Sequence, residues 1–130
     1  MSDFLKQSVL VCGLMLASVA VQAQTPPAVS AGIAAKLIVR GDLQGLQVID
    51  LRSQRRNDVL VVQAEVYNVD SRDLRLYYRF RWVDSGGMQV GDGETWKPLV
   101  FLGKQTQFIK GTAYGPQATD FQLEMSSEPR

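Results

Sequence analysis

Residues 73–84 read Asp-Leu-Arg-Leu-Tyr-Tyr-Arg-Phe-Arg-Trp-Val-Asp. Every second residue from Leu74 to Trp82 is apolar or aromatic, whereas the positions between them carry three arginines and Tyr77. Successive side chains of a β-strand point to opposite faces, so one face is apolar and the other is cationic. At helical spacing the same residues would scatter around the cylinder. The stretch therefore predicts a central β-strand.

The first 23 residues have the layout of a secretory signal peptide. A short start carrying Lys6 precedes an uncharged apolar run at residues 8–21, and Val21-Gln22-Ala23 resembles a signal peptidase site. The run is shorter than the roughly 20 apolar residues that a membrane span needs. We expect cleavage after Ala23 and a periplasmic protein. Membrane association would then require an uncleaved signal.

Cys12 bears on a second kind of signal, that of a lipoprotein. Such a signal places a small residue before the cysteine and ends the apolar run there. Here Val11 precedes Cys12, and the apolar run continues after it. We interpret Cys12 as part of the apolar segment and keep lipidation as the alternative.

The composition of the chain excludes several classes of function. The 130 residues suffice for one domain. After cleavage the net charge remains +1, which does not favour nucleic acid as a partner. The chain has no histidine and its single cysteine lies in the signal, so Ser-His and Cys-His catalysis and thiolate or imidazole metal sites are excluded from the mature protein. We expect neither a cofactor nor enzymatic activity.

The rest of the chain predicts an all-β domain. We expect a flexible leader at residues 24–34, a domain at 35–126 and a tail at 127–130. Short alternating segments are separated by turn residues every eight to twelve positions, and residues 53–58 read as a polar loop. This pattern favours an antiparallel, immunoglobulin-like β-sandwich of about seven strands with Trp82 between the sheets, and a small barrel is the alternative. The expected strands cover 35–40, 46–51, 59–69, 73–84, 88–90, 96–101, 105–113 and 119–126.

A hairpin between residues 59–69 and the central strand also follows from the pattern. Antiparallel pairing through a turn at residues 70–72 would make the two apolar faces coincide without a register slip. The same register would place Gln63 near Arg79, with Glu65 diagonal to it. The expected neighbours are Asn68 with Leu74, Val66 with Leu76, Ala64 with Tyr78, and Val62 with Phe80.

Several of these residues resemble the YcfL-like family of small periplasmic proteins. The resemblance rests on Tyr67-Asn68 at a strand end and on the run 76–84, Leu-Tyr-Tyr-Arg-Phe-Arg-Trp-Val-Asp, followed by a glycine. Weaker matches are Gly103-Lys104, Gly111-Thr112-Ala113 and Ala118. It covers roughly residues 59–125. It implies a β-sandwich in the periplasm of a Gram-negative cell, with no known activity. Members are often lipoproteins, and the position of Cys12 departs from that pattern.

The central strand also carries the candidate interaction surface. Its arginines could bind an anionic partner through their planar set of donors, or they could be solvated and paired with Glu65 and Glu124. Tyr77 lies on the same face and could form an aromatic platform with Trp96, although core packing would also explain Trp96. The candidate surface comprises Arg75, Tyr77, Arg79, Arg81, Glu65 and Trp96.

Other polar residues favour structural roles. Asn68 is expected to cap the turn at Asp70-Ser71 with a buried amide. The acidic pairs at residues 70 and 73 and at residues 92 and 94 lie in turns, without the spacing of a carboxylate-pair active site. The sequence thus predicts a non-enzymatic envelope protein that binds a protein partner. The alternative is a module that binds peptidoglycan or another cell-wall glycan.

Overall fold

The computed structural model describes residues 31–129, which form one helical turn and seven strands. The predicted signal peptide and leader residues 24–30 lie outside this range. The helix is α1 (Ala31–Ala34), and none of the helices in the described range is long and apolar enough to span a membrane. The strands are β1 (Leu37–Arg40), β2 (Leu46–Arg56), β3 (Val59–Asn68), β4 (Leu74–Val83), β5 (Lys97–Phe101), β6 (Thr106–Thr112) and β7 (Asp120–Ser126).

The strands form two separate sheets, which confirms the β-sandwich and not the barrel. Sheet A has the order β1-β7-β4-β5, and sheet B has the order β2-β3-β6. The neighbours in both sheets are antiparallel except β1 and β7, which run parallel. The predicted strand at residues 88–90 is reduced to a single bridge between Gln89 and Val83.

The core lies between the apolar faces of the sheets. Trp82 and Phe80 of β4 are each 1% exposed and stack with their ring centroids 5.3 Å apart. Across the sandwich, Phe80 packs directly on Gly111 of β6, where any side chain would overlap its ring. The other large apolar side chains that are fully buried are Phe101, Leu76, Ile109, Leu123, Met125, Val62 and Val66.

The predicted hairpin between β3 and β4 is wrong. β3 pairs with β2 and β6 in sheet B, whereas β4 pairs with β5 and β7 in sheet A. The apolar faces of β3 and β4 do contribute to one core, but they meet across the sandwich instead of side by side. Burial can satisfy two apolar faces in either arrangement, so matching periodicity alone does not identify hydrogen-bonded neighbours.

The predicted polar loop at residues 53–58 is also wrong. β2 continues to Arg56, and β3 begins at Val59. Only Asn57 and Asp58 form the turn, with φ angles of 51° and 64°. Two consecutive residues in the left-handed region are typical of a tight hairpin turn, and Asn and Asp tolerate it better than most residues.

Three different parts of the chain form hydrogen bonds along the edge of β4 that faces away from β7. β5 pairs with residues 74–78, and Val90 donates its backbone N–H to the carbonyl of Trp82 over 2.8 Å. Between these segments, the Glu94 carboxylate accepts hydrogen bonds from the backbone N–H of Phe80 and from Trp82 Nε1, each over 3.0 Å. Glu94 therefore replaces a missing strand and holds the 84–96 loop beside the outer face of sheet A.

Asn68 has the structural role that the sequence predicts. Its side chain is fully buried, and its Oδ1 accepts a hydrogen bond from the backbone N–H of Asp70 over 2.9 Å. Its Nδ2 donates to the carbonyls of Arg72 and Leu102 over 2.8 and 3.1 Å. A single side chain thus joins the β3–β4 connection to the β5–β6 turn.

Candidate functional site

The outer face of sheet A carries the residues that the sequence singles out on the central strand. Arg75, Tyr77, Arg79 and Arg81 alternate with the buried residues of β4. The register of β4 with β7 brings Arg79 opposite Glu124 and Arg81 opposite Gln122. We call this surface, defined by Arg75, Tyr77, Arg79 and Arg81, the arginine face.

Arg79 is fully engaged with neighbouring side chains. Its Nη2 lies 3.3 Å from Glu124 Oε2, and Arg40 Nη2 lies 3.2 Å from the same oxygen. The Glu124 side chain is only 4% exposed, so two guanidinium groups compensate a carboxylate that water barely reaches. The guanidinium of Arg79 also stacks over the Trp96 ring, 4.4 Å from its centroid. Arg79 therefore has a structural role on this face, and its charge is not available to a partner.

Arg75 and Arg81 differ from Arg79. Both are exposed, and neither guanidinium group forms an ion pair or a hydrogen bond within the part of the chain that the structure describes. Arg75 pairs in register with Val100 of β5, whose side chain is itself 44% exposed. These two arginines keep their full set of donors available to a partner.

Arg81 and Arg79 also border a polar cleft of about 290 Å³ beneath the 84–96 loop. Basic and acidic side chains are equally numerous in it, so the cleft does not favour an anion over a cation. No group of three or more potential metal ligands occurs within residues 31–129. The charged residues that line the cleft are Arg40, Arg79, Arg81, Asp92, Glu94 and Glu124.

Tyr77 and Trp96 lie on this face, but they do not form a stacked platform. Tyr77 pairs with Pro98, two residues after Trp96, so the strand register places both aromatic residues on one side of the sheet. Tyr77 makes no ring contact with any described residue, and Arg79 occupies one face of the Trp96 ring. The pair therefore lacks the open, coplanar surface on which a sugar ring stacks.

Glu65 lies on the opposite side of the molecule, so its predicted pairing with the arginines is wrong. It belongs to β3 and faces outward from sheet B, where Phe108 of β6 and Asp50 of β2 are its neighbours in register. The error follows from the incorrect hairpin, because pairing β3 with β4 would have brought Glu65 beside Arg79. Glu124, the other acid considered, does pair with Arg79.

The acidic residues of the turns have structural partners or remain exposed. Glu94 is committed to Phe80, Trp82 and the Lys97 ammonium, which lies 3.6 Å from Oε1. Its neighbour Asp92 is exposed. Sequence reasoning missed the role of Glu94. The only available signal was its position, since this acidic residue directly follows the turn residues Gly91-Asp92-Gly93 and lies two residues before Trp96.

Lys36 and Asp120 form an ion pair beside Arg81 that the sequence pattern did not predict. Lys36 Nζ lies 2.6 Å from Asp120 Oδ1 and 2.7 Å from Oδ2, and the backbone N–H of Phe121 donates to Oδ1 over 2.8 Å. Partial burial raises the pKa of Asp120, but the hydrogen bonds from Lys36 and Phe121 outweigh it and hold the pKa below the ordinary value of 3.8.

This ion pair predicts a pH-dependent contribution to stability. Because the pKa of Asp120 is lower in the folded state, its contribution is present above the ordinary aspartate pKa and is lost as the pH falls through the folded value. Lys36→Met should lower the free energy of unfolding at neutral pH by about 0.2–1 kcal/mol, the range for exposed pairs. Urea denaturation at several pH values measures it. A difference between variant and wild type that persists below the folded pKa would contradict this assignment.

A model of the DUF1425 family, described as a protein of unknown function, matches residues 41–127. The chain therefore belongs to this family. No curated protein matches the sequence.

Two solved structures are similar to this domain. One is the crystal structure of Cj0090 from Campylobacter jejuni, with a TM-score of 0.62, 20% identity, and coverage of 72% of this chain and 98% of that one. The other is a DUF1425 family member from Shewanella sp. PV-4, with a TM-score of 0.60, 26% identity, and coverage of 65% and 80%. The first similarity supports the fold alone.

Proposed function

We propose that this protein is a YcfL-like member of its family and a non-enzymatic module of the periplasm. In this proposal, the arginine face binds an acidic surface of an envelope protein. Export is supported by the apolar run at residues 8–21 and the site before Gln24. A non-enzymatic role is supported by the lack of histidine and of mature cysteine, and by the commitment of Glu94 to backbone and indole donors.

The observation that carries the proposal is the pair of exposed, unpartnered arginines at either end of the face. Arg79 between them pairs with Glu124, whereas neither Arg75 nor Arg81 forms an ion pair with an acidic residue of the described chain. Guanidinium groups suit protein interfaces because they are weakly hydrated and can bind a carboxylate through two parallel hydrogen bonds. Complementary acidic groups on a partner would supply these bonds.

The spacing of the two arginines favours a protein over a small anion. Arg81 lies six positions after Arg75 along β4. At about 3.3 Å per residue, their Cα atoms lie roughly 20 Å apart. A single phosphate or sugar acid cannot contact both, whereas a protein surface of ordinary interface size can. The partner is then expected to present acidic groups at two separate points.

A glycan-binding module, the other function that the sequence predicts, has less support. Sugar rings stack on exposed aromatic faces, and Arg79 covers one face of Trp96. Tyr77 stands apart from that ring. The interaction surface is better described by its charges than by its aromatic residues.

The test is affinity capture from envelope extracts with crosslinking, comparing single charge reversals. Arg75→Glu and Arg81→Glu are each expected to lose the captured partner, and raising the salt concentration should weaken capture by the wild type. The charge of Arg79 is not reversed, because a glutamate at this position would repel the buried Glu124 carboxylate that Arg79 now pairs with. The matched control is Lys110→Glu, which changes the charge equally on the outer face of sheet B.

The control separates specific binding from a general charge effect. Lys110→Glu should retain the partner, and circular dichroism should show that all variants are folded. A partner that persists in both arginine variants would contradict the proposal. Sedimentation with purified peptidoglycan that Trp96→Ala abolishes would instead favour the glycan function.

A further inference from the structure

The free edge of β2 is a second surface that the proposed function does not use. β2 is the longest strand, and it pairs with β3 on one side only. Residues 50–56 form no other backbone hydrogen bond to the described chain. α1 lies beside β2 but leaves these backbone groups unpaired. An edge of this length is a template for pairing with another strand.

The other three sheet edges are less accessible. β1 has only four residues, and β5 contains Pro98 next to Lys97, a combination that discourages strand pairing. The free side of β6 faces residues 93–97 across a cleft of about 510 Å³. β2 is therefore the edge at which an additional strand meets the fewest obstacles.

A register shift in β2 limits where pairing can occur. The shift lies between Val48 and Asp50, and beyond it residues 50–56 follow residues 59–65 of β3 without interruption. A bulge bends its strand and increases the local twist, which blunts the edge there. The seven residues from Asp50 to Arg56 form the regular part that remains available.

We propose that two copies of this chain associate antiparallel along this regular part of β2 and form a continuous six-stranded sheet. The two ends of the segment, Asp50 and Arg56, are complementary in charge when the two-fold axis passes through Ser53. That register places Asp50 opposite Arg56 of the second copy, and it does so twice. It also places Arg52 opposite Gln54 of the second copy.

The faces of the strand agree with this register. Asp50 and Arg56 lie six positions apart, an even offset, so both side chains lie on the same face of sheet B. Directly opposite residues in an antiparallel pair have Cβ atoms about 4.5–5.5 Å apart, close enough for the acidic and basic groups to meet. Asp50 now pairs with Arg52 over 2.8 Å, and the dimer would add a second guanidinium to this carboxylate.

This association has a consequence for the arginine face. Pairing along β2 extends sheet B, so the outer face of sheet A stays uncovered in both copies. The dimer would present two arginine faces, and a partner with two acidic sites would bind it with higher avidity than it binds a monomer.

The test uses two single variants whose defects cancel only in the proposed register. Asp50→Arg places two arginines against each other at both ends of the interface, and Arg56→Asp places two acids there. Each variant alone is expected to dimerise at least about tenfold more weakly than the wild type. An equimolar mixture restores an acid–base pair at both ends, so a dimer should form again.

Sedimentation velocity over a concentration series measures these associations for the mature wild type, the variants and the mixture. Lys110→Asp is the control, because it reverses charge on the same sheet away from the β2 edge. The amides of residues 50–56 that point away from β3 should also gain protection from hydrogen exchange as the wild-type concentration rises. A wild type that stays monomeric throughout, or a dimer that is equally strong in both single variants, would overturn the proposal.

Discussion

Trp82→Ala is expected to lower the free energy of unfolding by about 3–5 kcal/mol, because the indole is too large for its neighbours to collapse around the cavity. The ring is 1% exposed, stacks on Phe80 and lies 6.4 Å from the Phe121 ring. Its loss also removes a hydrogen-bond donor from the Glu94 carboxylate. Total stabilities of about 5–15 kcal/mol are typical, so this loss is a large fraction of the stability expected for a domain.

Trp96→Ala is the matched control for this result. Trp96 is half-buried on the outer face of sheet A, and its main described contact is the stacked Arg79. We expect a loss of about 0.5–1 kcal/mol, the range for an exposed cation–π pair. Guanidinium denaturation followed by far-UV circular dichroism compares the variants. Equal midpoints for the two substitutions would show that Trp82 does not organise the core.

Asn68→Asp is expected to be nearly as destabilising although it changes almost no volume. In the wild type, Nδ2 donates to two backbone carbonyls from a fully buried position. A carboxylate would direct a negative charge at both acceptors, and an uncompensated buried charge costs about 3–5 kcal/mol. The loss should shrink as the pH falls, because the protonated carboxyl regains one donor. Denaturant titrations at neutral and acidic pH measure this difference.

Asn57→Asp makes the same chemical change at an exposed turn. Its φ of 51° suits Asp as well as Asn, and no buried carbonyl faces it. The change in stability should stay within about 0.5 kcal/mol. If the two substitutions had similar effects, the amide of Asn68 would not be the link between the two connections that its contacts indicate.

Much of the architecture was predictable because alternation in a strand is a local property. The starts of β2 at residue 46 and of β3 at residue 59 follow directly from where the apolar segments begin, and the burial of Trp82 follows from its parity on β4. The turn role of Asn68 was also predictable, since Asn favours such positions. The polar residues 53–56 were mistaken for a loop because they lack apolar alternation, yet pairing with β3 keeps them extended.

The candidate site was predictable only in part. Sequence parity correctly placed Arg75, Arg79 and Arg81 on one face, but it could not distinguish the paired arginine from the two unpaired ones. That distinction depends on Glu124, which lies 45 residues further along the chain. The prediction that Glu65 pairs with these arginines was wrong for the same reason, since the position of Glu65 relative to β4 depends on which strands share a sheet.

The sequence by itself determined the periodicity, the apolar and cationic faces of β4, and the class of the domain, because these depend on neighbours a few residues apart. Only the tertiary structure decided which strands pair, that Glu94 closes the edge of β4, and that β1 runs parallel to β7. These choices join residues that are distant in the chain, and several pairings bury the same apolar faces equally well. The physical difference between them lies in the backbone and side-chain hydrogen bonds that a given pairing satisfies.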